Sequence, residues 1–306
     1  MADNIILYLS SALRLSVPIL MVAIGVCYSE KSGVYCMNAD SSMLGACFIS
    51  VVITLLTGNP WLGVLLGVVT GGLIAALFSV FAVRIGANQC LVGLAFNFIV
   101  IGLTSSLLRL FWSTGGIPQF KGLGEVAIPG LSKIPVIGAI LFNQPIITYL
   151  VYFIVPISWY ILFHTTWGLQ IRAVGENPRC ADTLGIDVFK TRTIAVIVGG
   201  LFAGLGGSIL AIQQVQTFTE EMTGARAWMG IIAAYFGGWS PLGATGAALI
   251  FGLAEALEKR IQLLSFINLS SYVIQMFPYI AALIVILLTG SSRRHPAAMA
   301  KYYQKQ

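Results

Sequence analysis

The sequence predicts an all-α, polytopic membrane protein of about eight or nine transmembrane helices, some of them short and broken. Three observations carry that prediction. The 306 residues are 58% hydrophobic and only 9% charged, whereas a soluble domain carries about a quarter charged residues. Apolar runs long enough to cross a bilayer, which takes about twenty helical residues, recur along the chain. One polar island, 167–192, interrupts them with four of the seventeen Lys and Arg and three of the eleven Asp and Glu. Residues 1–306 read as a single membrane domain with a polar loop at 167–192 and a basic tail at 291–306.

Taken in order, the spans fall near 5–26, 42–57, 61–83, 90–112, 146–163, 193–212 and 270–289. The start of the chain lacks the basic stretch and the small-residue site of a cleaved signal, so the first span is expected to be retained. Gly58-Asn59-Pro60 leaves only a tight turn between the second and third spans. Residues 228–257 are interrupted by Gly237-Gly238-Trp239-Ser240-Pro241. They read as two short helices that enter the membrane and return, each about 22 Å long and below the roughly 30 Å core. Gly63, Gly67 and Gly71 repeat every four residues, as do Gly200, Gly204 and Ser208. Small residues at that spacing let helices approach closely in lipid, so both sets read as packing faces.

Positive charge orients the spans. The island holds Arg172, Arg179, Lys190 and Arg192, and the tail holds Arg293, Arg294, Lys301 and Lys305 without an acidic residue. Both are expected on the cytoplasmic side. The net charge of +6 is thereby a matter of topology rather than of nucleic-acid binding. Five cysteines without a C-x-x-C pair, and two separated histidines, argue against a metal site. No G-x-x-x-x-G-K-[ST] phosphate loop occurs, so ATP, if used, is hydrolysed by another chain.

The island contains a deliberately built short helix. Asn177 is a good N-cap, Pro178 follows where an N–H is not needed, and Gly185 stands where a left-handed residue ends a helix. Cys180, Ala181 and Leu184 give it a small apolar face suited to a groove in another protein. The run AVGENPRCADTLGIDV, 173–188, closely resembles the cytoplasmic coupling-helix loop of permease subunits of ATP-binding-cassette importers. The branch is that of branched-chain amino acid, sugar and nucleoside permeases, above all the nucleoside type. ANQCLVGLAFNFIVIGLTSSL (87–107), IPGLSKIPVIGAILFNQ (128–144) and the stretch 218–255 with EMTGARAW, FGGWSPLGA and FGLAEA resemble the same pattern. The likeness extends over about 13–262.

That resemblance implies a non-catalytic permease subunit in a bacterial cytoplasmic (inner) membrane, with no cofactor. The implied partners are an ATPase subunit, a second and paralogous permease, a substrate-binding lipoprotein and membrane lipid. It makes Glu176, Asn177, Pro178, Arg179, Cys180, Ala181, Asp182, Leu184, Gly185 and Ile186 the coupling helix that docks on the ATPase. The implied solute is neutral and ring-bearing: a nucleoside, a purine or a flavin-like molecule, with a simple sugar or a branched-chain amino acid as alternatives. Ser29–Gly33 fits the family's motif, but Tyr35 and Ala39 stand where nucleoside permeases of this branch usually have Asn and Glu.

A self-sufficient secondary transporter or channel is the competing class. A capped cytoplasmic docking helix argues against it, and no catalytic triad or paired-carboxylate arrangement favours a membrane enzyme. A proton-coupled carrier would want a buried carboxylate, and Glu255 is the candidate, although pairing with Lys259 one turn on explains it more simply. Arg226, opening the first of the two short helices, is expected to mark a boundary or to pair with Glu220 or Glu221 rather than to bind an anion. Polar residues within spans are costly in lipid and tend to face a cavity or a partner helix. Asn88, Asn97, Thr104, Gln214 and Phe218 are therefore the candidates for the solute pathway: amides and hydroxyls for hydrogen bonds, and one ring for stacking.

Overall fold

The computed structural model describes residues 2–112, 119–120, 122–127, 137–263, 276, 280, 283 and 295–304. Of the expected span at 270–289 only 276, 280 and 283 are described, and residues 291–294 and 305–306 of the expected tail lie outside the described residues. Six described helices are long and apolar enough to cross a membrane. They belong to α1 (Ala2–Lys31), α2 (Ala39–Thr57), α3 (Pro60–Ser79), α4 (Gln89–Phe111), α6 (Ile146–His164) and α9 (Val188–Ile209). Helix α3 runs on through a π-helical turn, Val80–Ile85, and α9 through another, Leu210–Val215. Between α4 and α6, a three-residue strand β1 (Glu125–Ala127) pairs antiparallel with β2 (Asn143–Pro145), flanking the five-residue α5 (Ile137–Leu141).

The chain's punctuation is chemical. Gly58 adopts φ 69° after α2, and the Asn59 side chain then accepts the Trp61 N–H to open α3 at Pro60. Asn88 does the same for α4, accepting from Cys90 and Leu91 N–H. These are the left-handed stop and the Asx start that helices in general require.

Helix α9 is central and packs on α1, α2 and α3. The two small-residue repeats meet each other there. A Cβ on Gly71 would lie 2.5 Å from the Gly200 carbonyl oxygen and 2.7 Å from Gly204 Cα, so only hydrogen fits at this crossing. Gly67 faces Ser208 in the same seam. Close backbone approach of this kind gains dispersion and weak Cα–H contacts that larger side chains would forbid. By contrast, α4 buries little. Its inward stripe is Gln89, Gly93, Asn97, Val100 and Thr104, while Leu91, Phe98, Ile99, Leu103, Leu110 and Phe111 face outward. Such an apolar outer face suits lipid or a companion membrane subunit.

The interrupted region differs from expectation. Helix α10 (Arg226–Phe236) is short, but α11 (Pro241–Leu263) runs for 23 residues, about 34 Å. It is not a short half-helix, because the break at Gly237–Ser240 comes early and nothing stops the helix until after the charged turn at Glu258-Lys259-Arg260. Helices α10 and α11 lie against one another and against α1. Arg226 at the start of α10 meets Glu255 near the end of α11, which fixes the two as an antiparallel pair with their turn at the end of α1.

Candidate functional site

The bundle has two chemically different ends. At one end lie the finish of α1, the starts of α2, α4 and α9, and two further helices. These are α7 (Thr166–Glu176), an amphipathic helix the sequence reading had not separated from the loop, and α8 (Pro178–Thr183). Thr165 opens α7 by accepting the Gly168 N–H at 3.2 Å. Asn177 ends α7 and opens α8, its Oδ1 accepting the Cys180 N–H at 3.2 Å. Gly185 takes φ 82° beyond α8, and its N–H bonds to Asp182 O at 2.9 Å. Asp187 then caps α9 through the Lys190 N–H at 3.0 Å.

The proposed apolar face of this helix is divided. Ala181 points inward, 2% exposed, and packs with Val174, Val188 and Tyr303. Cys180 and Leu184 face outward, Leu184 at 75%. Ala181 is thus unavailable to a partner: it anchors α8 to the chain's own α7 and α9. Glu176, Asn177, Arg179 and Gly185 are exposed, and Pro178, Asp182 and Ile186 are partly so.

The same end holds a carboxylate that sequence reasoning missed. Glu30, in the last turn of α1, is fully buried. It accepts the Trp239 Nε1–H at 2.7 Å and the Tyr235 hydroxyl at 3.4 Å. Trp239 itself sits at φ 53°, in the turn between α10 and α11. One buried carboxylate therefore ties the end of α1 to the tip of the returning pair. A polar side chain buried so deeply is costly unless hydrogen-bonded, and it is kept where geometry needs it. The signal was present in Ser29–Gly33, but a local motif does not show which distant indole will meet its acid.

Other charges correct the sequence reading. Arg226 pairs with Glu255, not with Glu220 or Glu221, while Glu220 meets Arg109 at 3.2 Å. Lys259 does reach Glu255, at 3.5 Å. Glu255 is thus held by two cations, Arg226 and Lys259.

At the opposite end, α1, α6, the π-helical turn of α9 and α11 enclose a cavity of about 470 Å³. Its wall includes Arg14, Thr148, Gln213, Gln214, Gln216 and Lys259. Gln214 donates from Nε2 to Arg14 O at 2.7 Å, which leaves its Oε1, like that of Gln213, buried without a hydrogen-bond partner. Gln216 is held at φ 57° as the π-turn closes. π-turns and left-handed non-glycine residues both cost free energy and concentrate at functional sites.

Of the five candidate pathway residues, only Gln214 lines this cavity. Asn88 caps α4. Asn97 accepts the Ser41 N–H at 2.9 Å and donates to Met37 O at 3.5 Å, holding the start of α2 from α4. Thr104 bonds to the carbonyls of Val100 and Ile101 in its own helix. Phe218 is buried edge-on against Phe48, ring centroids 5.2 Å apart.

Comparison with known proteins gives this architecture its relatives. Residues 8–288 match the family described as the permease component of branched-chain amino acid transport systems. The chain is 36% identical over 294 residues to the guanosine ABC transporter permease protein NupQ of Bacillus subtilis, covering 92% of this chain and 91% of that one. It is 34% identical over 298 residues to the nucleoside ABC transporter permease protein NupC of Lactococcus lactis, covering 95% and 94%. A second guanosine ABC transporter permease protein of the same Bacillus strain, NupP, is more distant, 24% identical over 259 residues and covering 81% and 72%. No solved structure matches the chain. The chain belongs to the branched-chain amino acid transport system permease family and is a multi-pass membrane permease subunit of an ABC transporter.

Proposed function

We propose that this chain is one of two unlike permease subunits of an importer for a neutral, ring-bearing solute in a bacterial cytoplasmic membrane. Nucleosides, and guanosine-like ones first, are the class its relatives' names support. Two different guanosine permeases in one Bacillus strain support the heterodimer. A substrate-binding lipoprotein delivers the solute, a separate subunit hydrolyses ATP, and residues 1–306 act as one membrane domain that forms no covalent bond.

The single observation that carries this reading is α8, a short helix capped at both ends and displayed at the surface by the burial of Ala181 beneath it. Closure of the ATPase subunits pushes on Cys180 and Leu184, and the push passes through Val174 and Val188 into α7 and α9. At the far end, the glutamine-lined cavity supplies amide groups and two cationic side chains, which suit hydroxyls and ring carbonyls better than they suit a metal ion. Asn88, Asn97, Thr104 and Phe218 act on this route by fixing α2, α4 and the segment after α9.

The test is uptake of labelled guanosine by cells carrying the chain, its companion permease, the lipoprotein and the ATPase. Uptake should vanish when the ATPase is inactivated and persist when the ion gradient is collapsed; the reverse pattern indicates a secondary transporter. Orientation is tested at Cys180, the one exposed cysteine. An impermeant thiol reagent should reach it only after permeabilisation, and labelling from outside would invert the topology.

A further inference from the structure

The segment 295–304 runs as a strap across the end of the bundle that carries α8. Ala298 N–H donates to Gly175 O at 2.9 Å and Ala300 N–H to Gly33 O at 3.0 Å. Ala297 N–H reaches Glu176 Oε2 at 3.3 Å. Arg192, 3% exposed, is held by carbonyls: Nε donates to Ser32 O at 3.2 Å and Nη1 to Lys301 O at 3.0 Å. Tyr303 is buried against Val174, Ala181 and Val188, and its ring lies 5.6 Å from that of Phe189. Burial raises the Tyr303 hydroxyl above its ordinary titration range, and the nearby Asp182 carboxylate of α8 adds to the rise. Tyr302 covers Gly86 at the end of the first π-turn. A short piece of chain thus joins the ends of α1, α3, α7, α8 and α9.

Between the strap and α8 opens a groove of about 420 Å³, with Pro178 and Arg179 on one wall and Lys301, Tyr302 and Gln304 on the other. Glu176 also lines it and accepts from the strap itself. Among the described residues Arg179 and Lys301 have no carboxylate within ion-pair distance. The groove is therefore cationic with an aromatic side, and it continues directly from the outward face of α8.

We propose that the ATPase subunit docks on a composite surface, α8 together with the strap, and that an acidic segment of that subunit enters this groove between Arg179 and Lys301. The inference rests on the reading of α8 as the coupling helix and extends it. Contact with the strap reaches the end of α1 through Gly33, so the closing motion arrives at α1 as well as at α7 and α9.

The test uses the assembled transporter in membranes, with Cys90 replaced by Ser, since Cys27, Cys36 and Cys47 are buried. A short bifunctional maleimide should join native Cys180 to the ATPase, and Gln304→Cys, with Cys180→Ser, should join it with comparable yield. Cross-linking from Cys180 but not from Gln304→Cys would overturn the composite surface and leave the coupling reading intact. Failure at both positions would overturn both. Labelling of Gln304→Cys by a headgroup-linked thiol probe instead of the ATPase would assign the strap to the lipid surface and sink the proposal. As a second measure, Lys301→Glu keeps the backbone contact to Arg192 and should lower ATPase retention on purification at least tenfold, with Lys301→Ala lowering it less. Unchanged retention in Lys301→Glu would refute the acidic segment.

Discussion

The two ends of this bundle solve opposite problems. At the α8 end, most of the buried groups named above are tied across elements: Glu30 to Trp239, Arg192 through Nε and Nη1 to Ser32 and Lys301, Gly175 to Ala298, although Arg192 Nη2 and Thr193 Oγ1 are buried without a partner there. At the far end, Gln213 and Gln214 keep buried oxygens unpartnered beside a cavity, and a π-turn replaces regular helix. An end that must transmit a push has to be stiff, because a compliant junction would absorb the displacement. An end that must accept and release a solute has to keep hydrogen-bonding capacity unsatisfied, at a cost of about 1–3 kcal/mol for each unmade bond. Cross-element ties at one end and unpartnered amides beside a cavity at the other are what the proposed function asks for, and mutations at the two ends should separate stability from transport.

The largest effect is expected at Gly175. A Cβ there would lie 2.0 Å from the Lys31 carbonyl oxygen, with no side chain able to step aside. Gly175→Val must push α7 off the end of α1, an overpacking cost of about 1–3 kcal/mol or more. Yield of the folded subunit and its melting temperature in detergent should both fall sharply. A melting temperature within a degree of the parent's would show that α7 is not held against α1.

Next in size is Trp239→Phe, which removes the indole N–H from Glu30 while keeping an aromatic ring. The buried carboxylate then loses its shorter hydrogen bond, at about 1–3 kcal/mol. Thermal unfolding should shift down and uptake should fall with it. Trp239→Tyr, which cannot place a donor at the same point, should not rescue. Full stability in Trp239→Phe would remove Glu30 from the connections that stiffen this end.

Gly185→Val probes the same end with less structural damage. Nothing lies within 4 Å of a Cβ built on Gly185, so the penalty is conformational: about 1–2 kcal/mol for a branched residue at φ 82°. The end of α8 should distort while the bundle stays intact. ATP-driven uptake should drop several-fold with normal membrane insertion, and normal uptake with normal ATPase stimulation would break the link between α8 and coupling.

Much of this contrast was legible in the sequence on one side only. The caps of α8 were readable because capping is local: Asn177, Pro178 and Gly185 act within a few residues of each other. The glycine seam was readable because a period of four on each helix already defines a face. What could not be read was which residues meet across the fold. Ala181 looked like part of a docking face until Tyr303, 122 positions further on in the chain, proved to cover it. Asn97 read as a pathway residue from its polarity alone, and its bond from the backbone N–H of Ser41 on another helix, a structural task, could not be seen in the sequence. The length of α11 was underestimated because a helix breaker marks a start as readily as a stop.

The smallest effect on stability, and the sharpest test of the comparison, is expected from Gln214→Leu. The substitution removes the bond from Nε2 to Arg14 O at 2.7 Å, which alone would cost about 1 kcal/mol. It also removes an amide oxygen that is buried without a partner, which returns a similar amount, and leucine nearly matches the volume. Thermal stability and ATPase retention should therefore stay close to those of the parent. Uptake should not, because the cavity loses both the donor and the acceptor it offers to a polar ring. A several-fold rise in the guanosine concentration for half-maximal uptake, at unchanged stability, is the expected result. If instead Gln214→Leu destabilises the subunit and transports normally, the far end is as structural as the α8 end, and the cavity is not where the solute is held.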